Sequence, residues 1–539
     1  MTANAEAARA FQEIADLLDL LGEKFKPEAY RRAARSIESL TEDIEVVAKN
    51  DQLREVPGVG EAIEEKIREF LRLGTIPYLE KLRAQVPAGV LELMRIPGVG
   101  PKTARRFWTD LGVESPGGLR EAIDAGQLNG VAGFGPTKIA KIRGALDLAA
   151  TEGTRRPLLA AAIAAEGIVA ELSRHAPIER IEVAGSLRRR RETIGDLDIL
   201  VISAEPAKVL DAFGKMAGVT VSLRGPTKET IRTAEGLQVD LRVLAAESFG
   251  AAWQYFTGSK DHNVQTRSLA RDRGLKINEY AVMRGEERLA SSTEEEIYRS
   301  IDLAWIPPEI REGLGEVEAA GNGKLPKLLE TQDVVGELHL HLPAGVDRIA
   351  FDALAESAKK AGLQYLGVLP AAETDAERLR AWAREHRTPK VLVGAEAKFG
   401  SAPEGNAEFR IWSASGVEAP AKPAHLPTSE IPEWVAHFGS DPSSPAGPKR
   451  LAAWVGWALA AGRPLEVNPA PGYDGLDAVT CRRLVDGGGR IVVSEHGVAA
   501  ERRRALAVGT ARRGWVTKAG VLNAGPWPWR PAATTARGE

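Results

Sequence analysis

The sequence is poor in cysteine: Cys481 is the single one among 539 residues. A disulfide scaffold and a cysteine-based zinc site are therefore excluded, and we expect a reducing, cytoplasmic environment. No run of about 20 apolar residues is present, so a membrane span is not expected. The N-terminus also lacks the basic start and apolar core that are typical of a signal peptide.

Neither sign of charge is in excess, because the formal net charge is only -3 at pH 7. Binding to a polyanion such as nucleic acid must therefore depend on local basic patches. The 44% hydrophobic and 27% charged content is that of a soluble globular protein, and the length predicts several domains.

The stretch 180–203 is the most informative part of the chain. It reads as a strand, a Gly-Ser turn, a run of arginines over 188–191 and a second strand that starts with Asp196 and Asp198. Residues two apart in a strand share a face, so the two carboxylates lie side by side. They would repel each other unless a cation lay between them, and hard oxygen ligands suit Mg2+ or Mn2+.

A third carboxylate follows in the alternating segment 236–244, GLQVDLRVL. Asp240 lies on its polar face and joins the aspartate pair if the two strands are neighbours. Three carboxylates, a turn with free N–H groups and several arginines describe a metal-assisted phosphoryl-transfer site. The alternative, a strand that merely starts on a solvated surface, is weakened by the Gly-Ser turn upstream and by Asp240 downstream.

A Gly-x-Gly turn followed by a helix occurs three times near the N-terminus, in VPGVG, IPGVG and VAGFG. Such turns bring backbone N–H groups at a helix start close to phosphate, which predicts DNA binding that does not depend on base sequence. One copy alone would be an ordinary helix–helix turn, whereas three copies with a lysine in each following helix resemble helix-hairpin-helix motifs. The residues concerned are Gly58, Gly60, Gly98, Gly100, Gly133 and Gly135, with Lys66, Lys102 and Lys138.

The segment 254–282 places two aromatic residues, Tyr255 and Phe256, before a Thr-Gly-Ser turn and a helix. Asn263 and Arg267 are four residues apart on one face of that helix. Stacking rings, an amide and a guanidinium suit a nucleotide and its base pair. Core aromatics beside a solvated helix remain the alternative on this stretch alone.

From Gly313 to Asp333 the composition is rich in glycine and polar residues, which predicts a linker. The remaining 200 or so residues alternate helical stretches with short apolar runs, which predicts a barrel-like α/β domain.

Over about residues 5–320 the chain resembles the DNA polymerase X family. The resemblance rests on the order of the three hairpins and of the motifs GSLRRR, DLDIL, VDLRV and YFTGSKDHN. The C-terminal part resembles the PHP domain of bacterial members, on GELHLH, GAE, LEVN and RRGWVTKAGVLN. The resemblance implies a multidomain α+β protein with helical N-terminal lobes, a nucleotidyltransferase palm with a mixed sheet, a small thumb and a PHP-like distorted β/α barrel. The implied boundaries are 1–88 (lyase-like, 5′-phosphate-binding), 89–150 (fingers-like helix-hairpin-helix), 151–246 (palm), 247–320 (thumb-like), 321–334 (linker) and 335–539 (PHP-like).

The resemblance also implies residue roles. Asp196, Asp198 and Asp240 would hold two Mg2+ or Mn2+ ions, with Asp240 beside the primer 3′-hydroxyl. Further residues would contact the nucleotide and the DNA. Ser186 and Arg189 would hold the β- and γ-phosphates, and Tyr255, Phe256 and Gly258 would lie against the sugar. Asn263 would contact the base edge, and Arg267 would contact the template strand.

Lys66 matches the lysine that forms a Schiff base in the 5′-deoxyribose-phosphate lyase of some relatives. A solvated lysine that only contacts phosphate is the equal alternative, and a second lysine of lyase-active relatives is Ala62 in this chain.

The PHP-like part departs from its family pattern. His339, His341 and Glu396 match metal ligands and His437 is a further candidate, but roughly half of the ligand set is missing from segments such as VLPAAE and WSASG. A cation cluster with half its ligands is held weakly, so we expect this domain to be inactive or much weakened.

We therefore expect a monomeric, template-directed DNA polymerase that uses deoxynucleoside triphosphates on gapped or nicked DNA in base excision repair. A PHP phosphoesterase or 3′-5′ exonuclease with the polymerase half as DNA clamp is the main alternative. A non-enzymatic DNA-binding scaffold and a template-independent nucleotidyltransferase are further ones.

Overall fold

The computed structural model describes residues 3–38, 44–73, 75–94, 96, 99–129, 131, 133–151, 155–386, 388–401, 406–415, 417–420, 433–436, 447–468, 476–494 and 501–527. The chain forms two compact units, Met1–Thr154 and Arg155–Glu539. None of the helices in these ranges combines the length and the apolar character that crossing a membrane requires.

The first unit is helical and has one continuous apolar core, which includes Phe11, Ile67 and Phe107. Its helices are α1 (Ala3–Leu21), α2 (Lys26–Glu38), α3 (Ile44–Lys49), α4 (Glu61–Leu73), α5 (Pro77–Arg83), α6 (Ala88–Leu93), α7 (Pro101–Leu111), α8 (Pro116–Asp124) and α9 (Pro136–Thr151). The helical prediction for this part of the chain is confirmed.

The second unit begins with a five-stranded mixed sheet in the order β2-β4-β7-β6-β5. Alternating apolar residues of β4 and β7 form its core together with α10 and α12. The elements are β1 (Arg156–Pro157), α10 (Leu158–His175), β2 (Arg180–Val183), α11 (Gly185–Arg188), β3 (Thr193–Ile194), β4 (Asp196–Ile202), α12 (Pro206–Gly214), β5 (Val219–Arg224), β6 (Lys228–Thr233) and β7 (Gln238–Leu244).

A smaller region of helices and a three-stranded antiparallel sheet follows. It contains α13 (Phe249–Thr257), α14 (Lys260–Asp272), β8 (Lys276–Ile277), β9 (Val282–Arg284), β10 (Glu287–Ala290), α15 (Glu294–Arg299) and α16 (Glu316–Gly321).

The stretch predicted as a linker is more ordered than its composition suggests, because it contains α16. The Glu316 side chain is fully buried, accepts hydrogen bonds from the Gly313 and Leu314 N–H groups, and lies 2.7 Å from His262 Nδ1. One buried carboxylate therefore organises a glycine-rich segment that composition alone marks as loose.

The C-terminal part is built on a seven-stranded parallel sheet whose strands follow sequence order, β11 to β17. The α/β prediction is therefore confirmed at this level. Its elements are β11 (Gly336–Leu342), α17 (Arg348–Lys360), β12 (Tyr365–Pro370), α18 (Glu373–Glu385), β13 (Lys390–Lys398), β14 (Phe409–Ser413), β15 (Glu433–Ala436), α19 (Gly447–Ala461), β16 (Leu465–Val467), α20 (Ala478–Asp486), β17 (Ile491–Val493) and α21 (Glu501–Arg513).

Helix α21 joins the C-terminal part to the five-stranded sheet region. Leu506 on this helix is buried in the apolar core that α10, β4 and β7 form. Gly509, one turn later, lies so close to Arg190 that an added Cβ would be 2.7 Å from its Cγ atom. The two parts therefore share a packed interface rather than a loose connection.

Candidate functional site

The three predicted aspartates lie on one face of the five-stranded sheet. Strands β4 and β7 are adjacent and parallel, with Asp198 directly beside Asp240 and Asp196 beside Gln238. The condition set by the sequence, that the two strands be neighbours, is met. Side chains two apart on a strand share a face, so the carboxylates of β4 and β7 face the same side of the sheet.

Two neutral side chains hold the Asp240 carboxylate. The Thr230 hydroxyl, on the neighbouring strand β6, donates to Asp240 Oδ1. Gln238 Nε2 donates to Asp240 Oδ2 at 2.8 Å. Both carboxylate oxygens are thereby oriented by neutral donors.

The Gly-Ser turn lies directly against the aspartates. Gly185 has φ of 58°, and a Cβ built on it would be 2.1 Å from Asp198 Oδ2, so only glycine fits. The Ser186 hydroxyl is shielded from solvent and has no hydrogen-bond partner among the described residues. A buried hydroxyl of this kind is a group that a ligand can satisfy.

The surroundings of Asp198 favour a bound cation. Burial and the negative charges of Asp196 and Asp240 raise the pKa of Asp198 to about 7. Arg242 and Arg189 lower it in part. Asp198, whose ionisation its two neighbouring carboxylates oppose, offers hard oxygen donors that suit a divalent ion such as Mg2+ or Mn2+.

The arginines after the turn are engaged with neighbouring elements. Arg189 donates from Nε to Glu312 Oε1 at 3.2 Å and from a terminal nitrogen to the Thr257 carbonyl. Arg188 forms a two-pronged pair with Glu294, at 2.7 and 2.8 Å. The arginine turn is thus tied to the end of α13 and to the segment after α15.

The segment that contains Tyr255 and Phe256 lies beside the same arginine turn. Gly258 ends α13 with φ of 67°, and an added Cβ would be 3.2 Å from an Arg189 nitrogen. The rings of Tyr255 and Phe256 meet edge to face at 5.1 Å, and the Arg242 guanidinium lies 4.4 Å from the Phe256 ring centre. Both rings are half-buried, so they retain surface that a sugar or base can contact.

Asn263 and Arg267 share a face of α14, as the spacing predicts. The Asn263 amide receives a hydrogen bond from Gln254 at 3.0 Å and donates to the Tyr255 carbonyl at 2.7 Å. Arg267 is exposed and donates to the Asn263 carbonyl at 3.2 Å. Contact of Asn263 with a base edge would require exchange of these bonds.

The three hairpins of the first unit repeat one geometry. The carbonyls of Gly60, Gly100 and Gly135 each accept an N–H of the following helix, at 2.9 to 3.0 Å. A Cβ on any of them would meet nothing within 4 Å. Gly58 and Gly133 have positive φ, whereas Gly98 lies outside the described residues. Each described helix start is therefore open to an approaching backbone.

The hairpin lysines differ in their surroundings. Lys66 Nζ donates to the Ala62 carbonyl at 3.1 Å and lies 5.2 Å from the Tyr78 ring centre. Lys138 lies 4.6 Å from the ring centre of Phe134, and Lys102 is exposed. Both the lyase and the phosphate-contact interpretation of Lys66 remain predictions.

A second group of potential ligands lies in the C-terminal sheet. One ligand atom from each of His339, His341 and Glu396 lies within 4.8 Å of the others. The three aspartates do not form a group this close, since this is the only such group of three among the described residues. His437, the fourth predicted ligand, lies outside the described residues.

Glu466 orients this second group and was not among the predicted ligands. Both of its oxygens lie 2.8 Å from Nδ1 of the fully buried His339. A carboxylate on one ring nitrogen fixes a histidine for a metal on the other. Glu466 also accepts hydrogen bonds from Trp434, Asn468 and Ser494. A glutamate in the apolar strand PLEVN was the signal that could have revealed it.

Carboxylate strands beside a Gly-Ser turn, in a chain with repeated helix-hairpin-helix elements, define a phosphoryl-transfer enzyme that acts on DNA. Family models agree with this class. A helix-hairpin-helix domain matches residues 2–76, a SAM-like helix-hairpin-helix tandem residues 90–147, and the DNA polymerase beta thumb residues 252–312.

Similar proteins identify the family. DNA polymerase/3'-5' exonuclease PolX of Bacillus subtilis (strain 168) is 33% identical over 390 residues, 70% of this chain and 68% of that protein. DNA polymerase lambda of Rattus norvegicus is 24% identical over 343 residues, which cover 57% of this chain and 56% of that protein. DNA polymerase lambda of Arabidopsis thaliana is 22% identical over 346 residues, which cover 57% of this chain and 62% of that protein. The chain belongs to the bacterial family X DNA polymerases.

Proposed function

We propose that this chain is a template-directed polymerase that fills short gaps during base excision repair by adding deoxynucleotides to a primer 3′-hydroxyl. The observation that carries the proposal is the pairing of Asp198 with Asp240 across adjacent strands, directly against the Gly185 turn. The hairpin glycines, open at three helix starts, suit the backbone of a DNA duplex on either side of a gap.

Asp196, Asp198 and Asp240 would hold two Mg2+ or Mn2+ ions, which supply charge neutralisation of the triphosphate and activation of the primer hydroxyl. Asp240, oriented by Thr230 and Gln238, presents a carboxylate oxygen to that hydroxyl. The buried Ser186 hydroxyl would donate to a phosphate oxygen of the incoming nucleotide. The half-buried rings of Tyr255 and Phe256 would border the sugar.

The first test substitutes Asp240. Asp240→Ala should lower single-nucleotide addition on a gapped duplex by at least about 1000-fold, because the carboxylate contributes directly to transition-state charge stabilisation. Binding to the same DNA, measured by fluorescence anisotropy, should change little, since the hairpins lie in the other unit.

Glu235→Ala is the matched control, because this exposed residue lies in the turn just before the same strand. It should retain incorporation. Nucleotide addition by the Asp240→Ala protein would refute the carboxylate assignment, and extension without a template strand would favour a template-independent nucleotidyltransferase.

We also propose that the C-terminal domain, whose motifs are PHP-like, has lost 3′-5′ exonuclease activity. His339, His341 and Glu396 offer ligands for one ion, whereas the sequence lacks roughly half of the ligands of a PHP metal cluster. The Asp240→Ala protein should therefore leave a 3′-labelled primer intact in Mg2+ and in Mn2+. Degradation that disappears in a His341→Ala background would instead assign a working hydrolytic site to this domain.

A further inference from the structure

The Glu312 carboxylate is the meeting point of three arginines from two parts of the chain. Arg189 and Arg191, from the turn after Gly185, each approach it at 3.2 Å. Arg513, the last residue of α21, approaches it at 3.6 Å. The Glu312 and Arg189 side chains are each 12% exposed and Arg513 is 8% exposed, so these charges interact with little screening by water.

Arg189 cannot donate all of its hydrogen bonds to a nucleotide phosphate and to Glu312 at the same time. A guanidinium that donates to a carboxylate has fewer donors left for a phosphate oxygen, and the two anions compete for it. Whatever else neutralises Glu312 lowers the free energy needed to release Arg189. Arg513 is suited to this role because α21 fixes it in place.

Packing of α21 and an ion pair with Glu192 together hold Arg513 in position. Leu506, two turns earlier on α21, is buried in the core of the five-stranded sheet region. Gly509 lies against Arg190 with no room for a side chain. Arg513 also lies 2.5 Å from Glu192, which belongs to the same arginine turn region.

We propose that Arg513 is a positioning residue for nucleotide binding: it shares the charge of Glu312 and thereby frees Arg189 for the triphosphate. The C-terminal domain thus acts on the affinity of the polymerase site for its nucleotide through one helix end. This inference rests on the proposed polymerase function, because Arg189 is taken as a phosphate contact.

The test is a double-mutant cycle on the full chain, with single-nucleotide incorporation on gapped DNA. Arg513→Ala should raise the KM for the deoxynucleoside triphosphate about tenfold, the effect of one charge-assisted hydrogen bond, and leave kcat nearly unchanged. Arg513→Lys should retain most of the wild-type KM. Arg513→Ala combined with Glu312→Gln should recover it, because the competing carboxylate is gone.

Arg512→Ala is the matched control, since the neighbouring Arg512 pairs with Glu309 at 2.9 Å and with Glu330 at 3.1 Å, and within the described part of the chain it has no ion pair with Glu312. The substitution removes both ion pairs at the same helix end but should leave the KM close to the wild-type value. An equal rise in KM in Arg512→Ala, or no recovery in the double variant, would overturn the inference and indicate a general docking effect. Absence of incorporation by the wild-type protein would instead refute the proposed function itself.

Discussion

Gly185 shows how a single position constrains the catalytic carboxylates proposed above. Its positive φ of 58° and its contact with Asp198 both require the absence of a side chain. A methyl group there would be 2.1 Å from Asp198 Oδ2, so either the turn or the aspartate must move. The turn and the aspartate strand therefore act as one rigid unit.

Gly185→Ala should consequently lower nucleotide incorporation by about 100-fold, the cost of displacing a catalytic group by roughly 1 Å. The measurement is steady-state incorporation on gapped DNA. Gly274→Ala provides the control, because Gly274 also has positive φ, at 71°, but a Cβ there meets nothing within 4 Å. Equal losses in the two variants would mean that backbone strain, and not contact with Asp198, is responsible.

At the scale of single residues, the alternation of apolar and polar side chains along a strand was sufficient to predict the aspartates as candidate metal ligands. The spacing of Asp196 and Asp198 puts them on one face of a strand, and alternation puts Asp240 on the polar face of another strand. That these two strands are neighbours is known only from the structure. Glu312 could not be found in this way, since it pairs with Arg189 across 123 positions of the chain. Local periodicity carries no information on contacts at that distance.

Among the secondary-structure elements, α11 and α15 are joined by a buried ion-pair network centred on Glu294. Its carboxylate accepts from Arg188 at 2.7 and 2.8 Å and from Arg311 at 2.6 and 3.0 Å. Although burial opposes ionisation, these two guanidinium groups hold the pKa of Glu294 well below its ordinary value of 4.5. The carboxylate is thus charged in the folded protein and links the arginine turn to the thumb.

Glu294→Gln should destabilise the protein by about 3–5 kcal/mol at pH 7, because two buried guanidinium groups lose their counter-charge. Since the pKa of Glu294 is lower in the folded state, its contribution is complete above pH 4.5 and is lost as the pH falls further. Denaturant unfolding at several pH values should show the difference from wild type shrinking below pH 4.5.

The exposed neighbour Glu295 supplies the control on the same helix. Glu295→Gln should change the free energy of unfolding by less than about 0.5 kcal/mol at every pH. A Glu294→Gln difference that stays constant from pH 7 down to low pH would show that folding does not lower the pKa of Glu294.

Elements with a strong period were predictable from the sequence, and those fixed by tertiary contacts were not. Strand β4 begins at Asp196, where the sequence predicts a strand that starts with Asp196 and Asp198. Helix α16 lies in the glycine-rich segment 313–333, where Glu316 is buried against His262 and two N–H groups. Composition cannot anticipate a helix that depends on a buried partner elsewhere in the chain.

For the second unit as a whole, α21 makes the polymerase and C-terminal parts depend on each other. Leu506 is 1% exposed within the core of the five-stranded sheet region. The parallel sheet of the C-terminal domain is therefore not a separate appendage, although its own core lies elsewhere. The sequence pattern predicts two separate domains here and gives no sign of their contact.

Leu506→Ala should cost about 2–5 kcal/mol of folding free energy, because it leaves a cavity in the polymerase core although the residue belongs to the C-terminal part. The informative measurement is the midpoint temperature for loss of nucleotide incorporation, which reports on the aspartate site. Val479→Ala, at an exposed position on α20, should leave it unchanged. An unaltered midpoint in Leu506→Ala would show that the site is stable without this contact.

The long separation in sequence between α21 and the five-stranded sheet region has a consequence for how the protein is made. The five-stranded sheet region is translated more than 250 residues before Leu506 and Arg513, yet its core and its arginine turn include contacts with both. A nascent chain can therefore form the aspartate strands early but acquires the finished core of this region only after α21 has been made. Products whose translation stops before α21 carry the proposed catalytic carboxylates without the support that α21 gives to the turn beside them.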